Sequence, residues 1–154
     1  MTDLYLEPIR GWRVWKVTDG RLYSTVFGTL WPDRSRLEAR CGLGGRSSPG
    51  GLRGVHEAPS RGCDCGIYAL KSRADALFLA HQIAQPAVVA LGRVSLWGRV
   101  VETERGYRAQ YAYIYDVTLL GGTDAQAEEI RNRYAVDALA ESSIDHWNTV
   151  LPAA

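Results

Sequence analysis

The residues of this chain best suited to chemistry are Cys41, His56, Cys63 and Cys65. They comprise all three cysteines and one of the three histidines, gathered within 25 of the 154 positions. Zn²⁺ takes four thiolate or imidazole donors in a tetrahedron, and a site with all four supplied by protein is structural because no position is left for water. The set therefore predicts a Cys₃His zinc site. The single-residue gap Cys63-Asp64-Cys65 is tighter than in a standard finger. Gly62 and Gly66 on either side allow the sharp turn such a gap needs, and Pro59 stiffens the approach from His56.

The same residues admit other chemistry. Cys63 or Cys65 could be a catalytic thiol activated by His56, although no third orienting group follows. A zinc with one open position would be catalytic, with Glu57 or Asp64 as its general base. A Cys63–Cys65 disulfide would close a very small, strained ring, and three unrelated thiols are the plainest alternative. Energetics favour the metal. Residues 42–54, GLGGRSSPGGLRG, hold six glycines and no core-forming pattern. A structural zinc can contribute about 10 kcal/mol or more to folding, enough to organise a loop over about residues 40–66 that apolar burial cannot.

Composition narrows the setting. An apolar fraction of 46% and a charged fraction of 23% suit one soluble domain over 1–154. A net charge of +1 lacks the basic excess expected of a duplex-binding protein. No apolar run reaches the roughly 20 residues of a membrane span, and the start does not read as a signal peptide. The expected compartment is cytoplasmic, where thiols stay reduced and clustered cysteines point to metal or catalysis.

Four elements must position these residues. Residues 11–27, GWRVWKVTDGRLYSTVF, read as a hairpin turning at Asp19-Gly20, with Trp12, Val14 and Lys16 on one face and Arg13, Trp15 and Val17 on the other. KSRADALFLAHQIAQP reads as a helix capped by Ser72 and stopped by Pro86, burying Leu77 and Phe78 with His81 and Ile83 as further members of that side. GGTDAQAEEIRNRYAVDAL reads as a second helix with a Thr123/Gln126 capping box and Ala127, Ile130 and Tyr134 inward. The run from Val88 to Leu120 reads as a long hairpin turning at Arg105-Gly106, placing Val100 opposite Tyr111, Gly98 opposite Tyr113, Leu96 opposite Tyr115 and Val94 opposite Val117. Gly92 and Gly98 suit bulges that coil the sheet. The tyrosines Tyr107, Tyr111, Tyr113 and Tyr115 then form core and rim, or an aromatic platform, or a protein interface. The expected fold is α+β: a coiled antiparallel sheet or partial barrel, two or three helices and a zinc-clipped loop.

Several spaced motifs belong together: Trp12 and Trp15, Cys41, His56-Glu57-Ala58-Pro59, Cys63 through Ala69, Gly92 through Glu102, and Gly106 through Ala109. This pattern resembles a family of small bacterial proteins that carries no known activity, over roughly residues 11–115. The chain departs from it after Ala112-Tyr113, where the family has a proline. The resemblance implies that the Cys/His set acts as one unit.

Three functions fit. The first is a non-catalytic binding or regulatory module with a structural zinc, its partner a protein or small ligand, with Trp97, Tyr107 and Arg108 as the partner surface. The second is an enzyme: the strand–Ser72–helix segment weakly resembles ADP-ribosyltransferase-like folds that bind a nicotinamide dinucleotide, with Glu102 or Glu104 as the acid. The third is single-strand nucleic-acid binding, through Arg93, Arg99, Arg105 and Arg108 around Trp97, and through Trp12, Arg13, Trp15 and Lys16. The near-neutral charge places it behind the first. The segment GLGGRSSPGG lacks the lysine and the strand–loop–helix setting of a phosphate-binding loop.

Overall fold

The computed structural model describes residues 7–26, 28–41, 56–83 and 88–141. The glycine-rich segment 42–54 and the tail from 142 lie outside the described residues. Among the described residues, seven strands and two helices follow in the order β1 (Ile9–Thr18), β2 (Arg21–Ser24), β3 (Leu37–Glu38), β4 (Ile67–Leu70), α1 (Arg73–Ile83), β5 (Val89–Glu102), β6 (Gly106–Leu120), α2 (Asp124–Tyr134) and β7 (Asp137–Glu141). All the strands join one sheet. β1 pairs with β5, β5 with β6, β6 with β4, and β4 returns to β1 through Trp12 and Leu70, so four strands close a ring that is not a regular barrel. The α+β class and partial closure match the expectation. β7 departs from it by pairing in parallel with β6, which makes the sheet mixed.

Asp19 and Gly20, at φ 51° and 69°, form the β1–β2 turn in the primed geometry that suits strand twist. The two faces of β1 enter two different cores. Trp15, with Val17 beside it, joins the main core inside the ring, where Leu22, Trp31, Val94, Leu96, Ala112, Ile114 and Leu119 meet Ala127, Ile130 and Tyr134 from α2. Val14, with Trp12, joins a smaller core beneath α1, made with Ala76, Leu77, Ala80, Val89, Leu91 and Leu120. Leu77 is buried and Ile83 packs against this core as anticipated, but Phe78 is 59% exposed and His81 is exposed too; Ala76 and Ala80 complete the buried side of α1 in their place.

The β5–β6 hairpin corrects the anticipated register. Its tip is Glu104-Arg105: the Thr103 amide donates to the Gly106 carbonyl at 2.9 Å, and Glu102 faces Tyr107. Two irregularities follow, one at Gly98-Arg99 and one at Tyr115. Each inserts residues on one strand and changes which residues face inward. Gly98, at φ 76°, takes the first bulge, as its residue type suggested. Leu96 consequently meets Ala112 and Val94 meets Ile114 inside, while Tyr111 and Tyr113 face Trp97 and Ser95 outside. The tyrosines are therefore not a stacked core: Tyr113 is half-buried, its hydroxyl donating to the Tyr134 carbonyl, and Tyr115 is 42% exposed.

The second helix is shorter than the sequence reading. It begins with the Thr123/Gln126 capping box and stops at Tyr134, where Ala135 turns left-handed (φ 55°) and its amide donates to Arg131. The residues after it form β7 instead of further helix.

Candidate metal centre

Strand β6 builds the site without supplying a ligand. One of its edges pairs with β5; the other is shared by β4 at Gly106–Ala109, by β3 at Tyr111–Ala112 and by β7 at 116–120. β3 and β4 both run antiparallel to β6, so the end of β3 points toward the start of β4. Ala39 continues this alignment by donating its amide to the Gln110 carbonyl at 2.8 Å. Cys41 leaves β3 into that junction, and Cys63 and Cys65 enter it just ahead of β4.

β4 can lie this close only because its neighbours are small. A Cβ added at Gly11 would sit 2.6 Å from the Ala69 Cβ, and one at Gly106 would sit 2.3 Å from the Ala69 carbonyl oxygen. Gly66, at φ 126°, makes the turn from Cys65 into β4, a backbone state that L side chains rarely adopt. Upstream, Ala58 and Pro59 are buried, and the Cys63 amide donates to the Ser60 carbonyl at 3.2 Å.

These supports bring Cys41, His56, Cys63 and Cys65 together. Their four donor atoms lie within 4.8 Å of one another, and all four side chains are half-buried. Cys41 Sγ is 3.7 Å from Cys63 Sγ, and Cys65 Sγ is 3.4 Å from His56 Nε2. A tetrahedral zinc with bonds of about 2.3 Å to sulfur and about 2.0–2.1 Å to nitrogen requires edges of about 3.8 Å (S···S) and about 3.6 Å (S···N). The observed pairs match those edges. All three cysteines are free, so the sulfurs are available as ligands. The cluster can bind a metal ion.

The local electrostatics ask for a cation. The Cys65 amide and the Cys41 thiol hold Cys63 below the usual thiol range, while burial pushes Cys65 up to about 11. Three thiols this close cannot all ionise without a positive charge among them, and a divalent ion supplies it.

Arg108 completes the arrangement from β6. It is 8% exposed, and its Nη1 donates to the carbonyls of Ser60 (3.1 Å), Cys65 (2.8 Å) and Cys63. It therefore faces the metal loop and not an open partner surface. Tyr107 packs against the main core, with Lys71 Nζ 5.5 Å from its ring. Trp97 is half-buried and tilted against Tyr111 at 5.9 Å. The three do not form one exposed patch. Sequence reasoning missed the role of Arg108 because its acceptors are main-chain carbonyls, which residue type does not reveal.

Two residues of the enzyme reading, Ser72 and Glu102, are engaged elsewhere. Ser72 Oγ accepts from the Asp75 amide at 3.3 Å as a helix cap, and Glu102 pairs with Lys71 at 2.7 Å. Among the basic residues singled out, Arg93 pairs with Asp116 at 2.5 Å and Arg99 with Glu57 at 3.5 Å. Trp15 is fully buried.

No family model, curated protein or solved structure matches this chain.

Proposed function

We propose that the chain is a non-catalytic binding or regulatory module in which Cys41, His56, Cys63 and Cys65 hold one structural zinc ion. The observation that carries this reading is the convergence of four donor atoms within 4.8 Å, at spacings that suit a single tetrahedral ion. A complete set of protein ligands leaves no coordination position for substrate or water, which supports a structural over a catalytic metal. The ion fastens the segment that carries His56, Cys63 and Cys65 to the sheet, leaving the outer β surface for a protein or small-molecule partner. Elemental analysis of purified protein tests the proposal: one zinc per chain, lost in Cys63→Ser, is expected. Metal-free protein that melts at the same temperature with and without added zinc would overturn it.

Single-strand nucleic-acid binding stands as a second reading because of one row of stacked arginines and rings drawn from β1, β5, β6 and the start of α1. Arg10 lies 3.6 Å over the Tyr115 ring and Arg93 4.9 Å from it; Arg93 and Arg73 lie 5.7 and 5.8 Å from Trp12. Arg93 gives its Nε and Nη2 to Asp116, so Arg10 and Arg73 are the groups of this row with N–H edges for phosphate and planes for bases. Titration of a labelled oligonucleotide at rising salt decides it: an affinity that falls steeply with salt and weakens in Arg10→Ala supports it, and no binding at low salt removes it.

A further inference from the structure

We propose that Arg108 is the counter-ion of the metal centre, a positioning residue whose fixed charge balances the one that three thiolates leave on a divalent ion. This rests on the metal reading above and adds to it the charge state of the site.

Arg108 is a buried cation that enters no ion pair among the described residues. Arg108 is 8% exposed, and its acceptors are carbonyls of Ser60, Cys63 and Cys65. The ion pairs among the described residues engage Lys71, Arg93, Arg99 and Arg133, never Arg108. Carbonyl dipoles solvate a guanidinium but bring no net charge, and a buried unpaired charge is costly. Three thiolates, a neutral imidazole and a divalent ion sum to one negative charge, so the centre needs one cation. Arg108 is that cation by position: two of its acceptors are the carbonyls of the ligands Cys63 and Cys65 themselves.

Its place in the sheet serves the same end. Arg108 faces Tyr68 across the β4–β6 pairing, so the guanidinium is carried by the strand onto which the ligand-bearing segment docks. Holding the carbonyls of Cys63 and Cys65 toward Arg108 fixes the peptide between them and aims their side chains at the ion. Such outer partners typically change metal affinity 10–100-fold when removed.

Zinc affinity of the full chain, measured by competition with a chromophoric chelator for wild type, Arg108→Lys and Arg108→Gln, tests the inference. Arg108→Gln should bind zinc at least about 10-fold more weakly than wild type, while Arg108→Lys keeps the charge and recovers most of the affinity. Cobalt(II) gives a readout that a packing role would not move. Loss of the nearby positive charge raises the energy of the thiolate donors, so the thiolate-to-cobalt charge-transfer band should shift to lower energy in Arg108→Gln but not in Arg108→Lys. Equal affinities and band positions in all three proteins would overturn the assignment. So would a lysine variant as weak as the glutamine one. If Arg108→Gln does not fold, the lysine variant decides alone: folded and zinc-bound near wild type it supports the counter-ion role, unfolded it refutes it. Failure of wild type itself to bind metal would instead refute the underlying metal reading.

Discussion

Cys41 Sγ and Cys63 Sγ lie 3.7 Å apart although the two residues are 22 positions apart in the chain. That separation is far beyond the about 2.05 Å of a disulfide and close to one edge of a zinc tetrahedron. The chain thus holds two sulfurs where an ion between them would be bonded to both.

On the zinc reading, removing the ion should loosen the fold. At free zinc about 1,000-fold above Kd, binding stabilises the folded state by about 4 kcal/mol. For a domain of this size that corresponds to roughly 10 °C in Tm. Calorimetric scans with excess zinc and with excess chelator should differ by that order, and Cys63→Ser should show no difference.

Gly92 should tolerate no side chain. A Cβ there would lie 1.9 Å from the Asp116 carbonyl oxygen, a backbone atom that cannot swing away. Gly92→Ala is expected to cost about 3 kcal/mol or more, or to prevent folding. Gly62→Ala, whose added carbon meets nothing within 4 Å, should change stability by less than about 0.5 kcal/mol. Urea denaturation of the two variants checks the contrast.

Tyr134→Phe should expose the worth of one hydroxyl. The Leu22 amide donates to the Tyr134 hydroxyl at 2.8 Å inside the main core, tying α2 to the edge of β2. Without that oxygen a buried N–H has no acceptor, which costs about 1–3 kcal/mol. A lower urea midpoint with an unchanged slope is the expected result.

Asp116→Ala should release the second bulge of the β5–β6 hairpin. The carboxylate accepts from the Arg93 backbone amide at 2.9 Å and from Arg93 Nε and Nη2 at 3.0 and 2.5 Å. It thereby holds the two strands beside the extra residue Tyr115. Both side chains are partly exposed, so solvent screening limits the loss to about 1–2 kcal/mol. Asp116→Asn should retain part of that, since its side-chain oxygen can still accept from the Arg93 amide. Chemical denaturation of the pair measures the difference.

How far the sequence foretold this molecule depended on the range of the interaction. The Asp19-Gly20 turn and the Thr123/Gln126 cap were legible because each is decided within four residues. The Cys/His set was legible because thiols and imidazoles are rare and chemically specific. The pairing of β5 with β6 was not. Its alternation is interrupted at Gly98 and again at Tyr115, and a pairing rule that carries one offset through both places Tyr113 and Tyr115 on the wrong side. The end of α2 was equally hidden, because Ala135 takes a left-handed state with no glycine to announce it. Arg108 read as a surface charge because nothing in its residue type tells of three carbonyls waiting behind it.

The dependence of both β3 and β4 on β6 bears on when this protein can acquire its shape. All four sulfur and nitrogen donors leave the ribosome before residue 66, whereas the strand that aligns them spans 106–120 and emerges some forty residues later. A nascent chain stopped short of β6 carries every ligand and no frame to fix their geometry. Assembly of the Cys/His cluster is accordingly a late event in biogenesis, governed by the arrival of a segment that supplies none of its four donors.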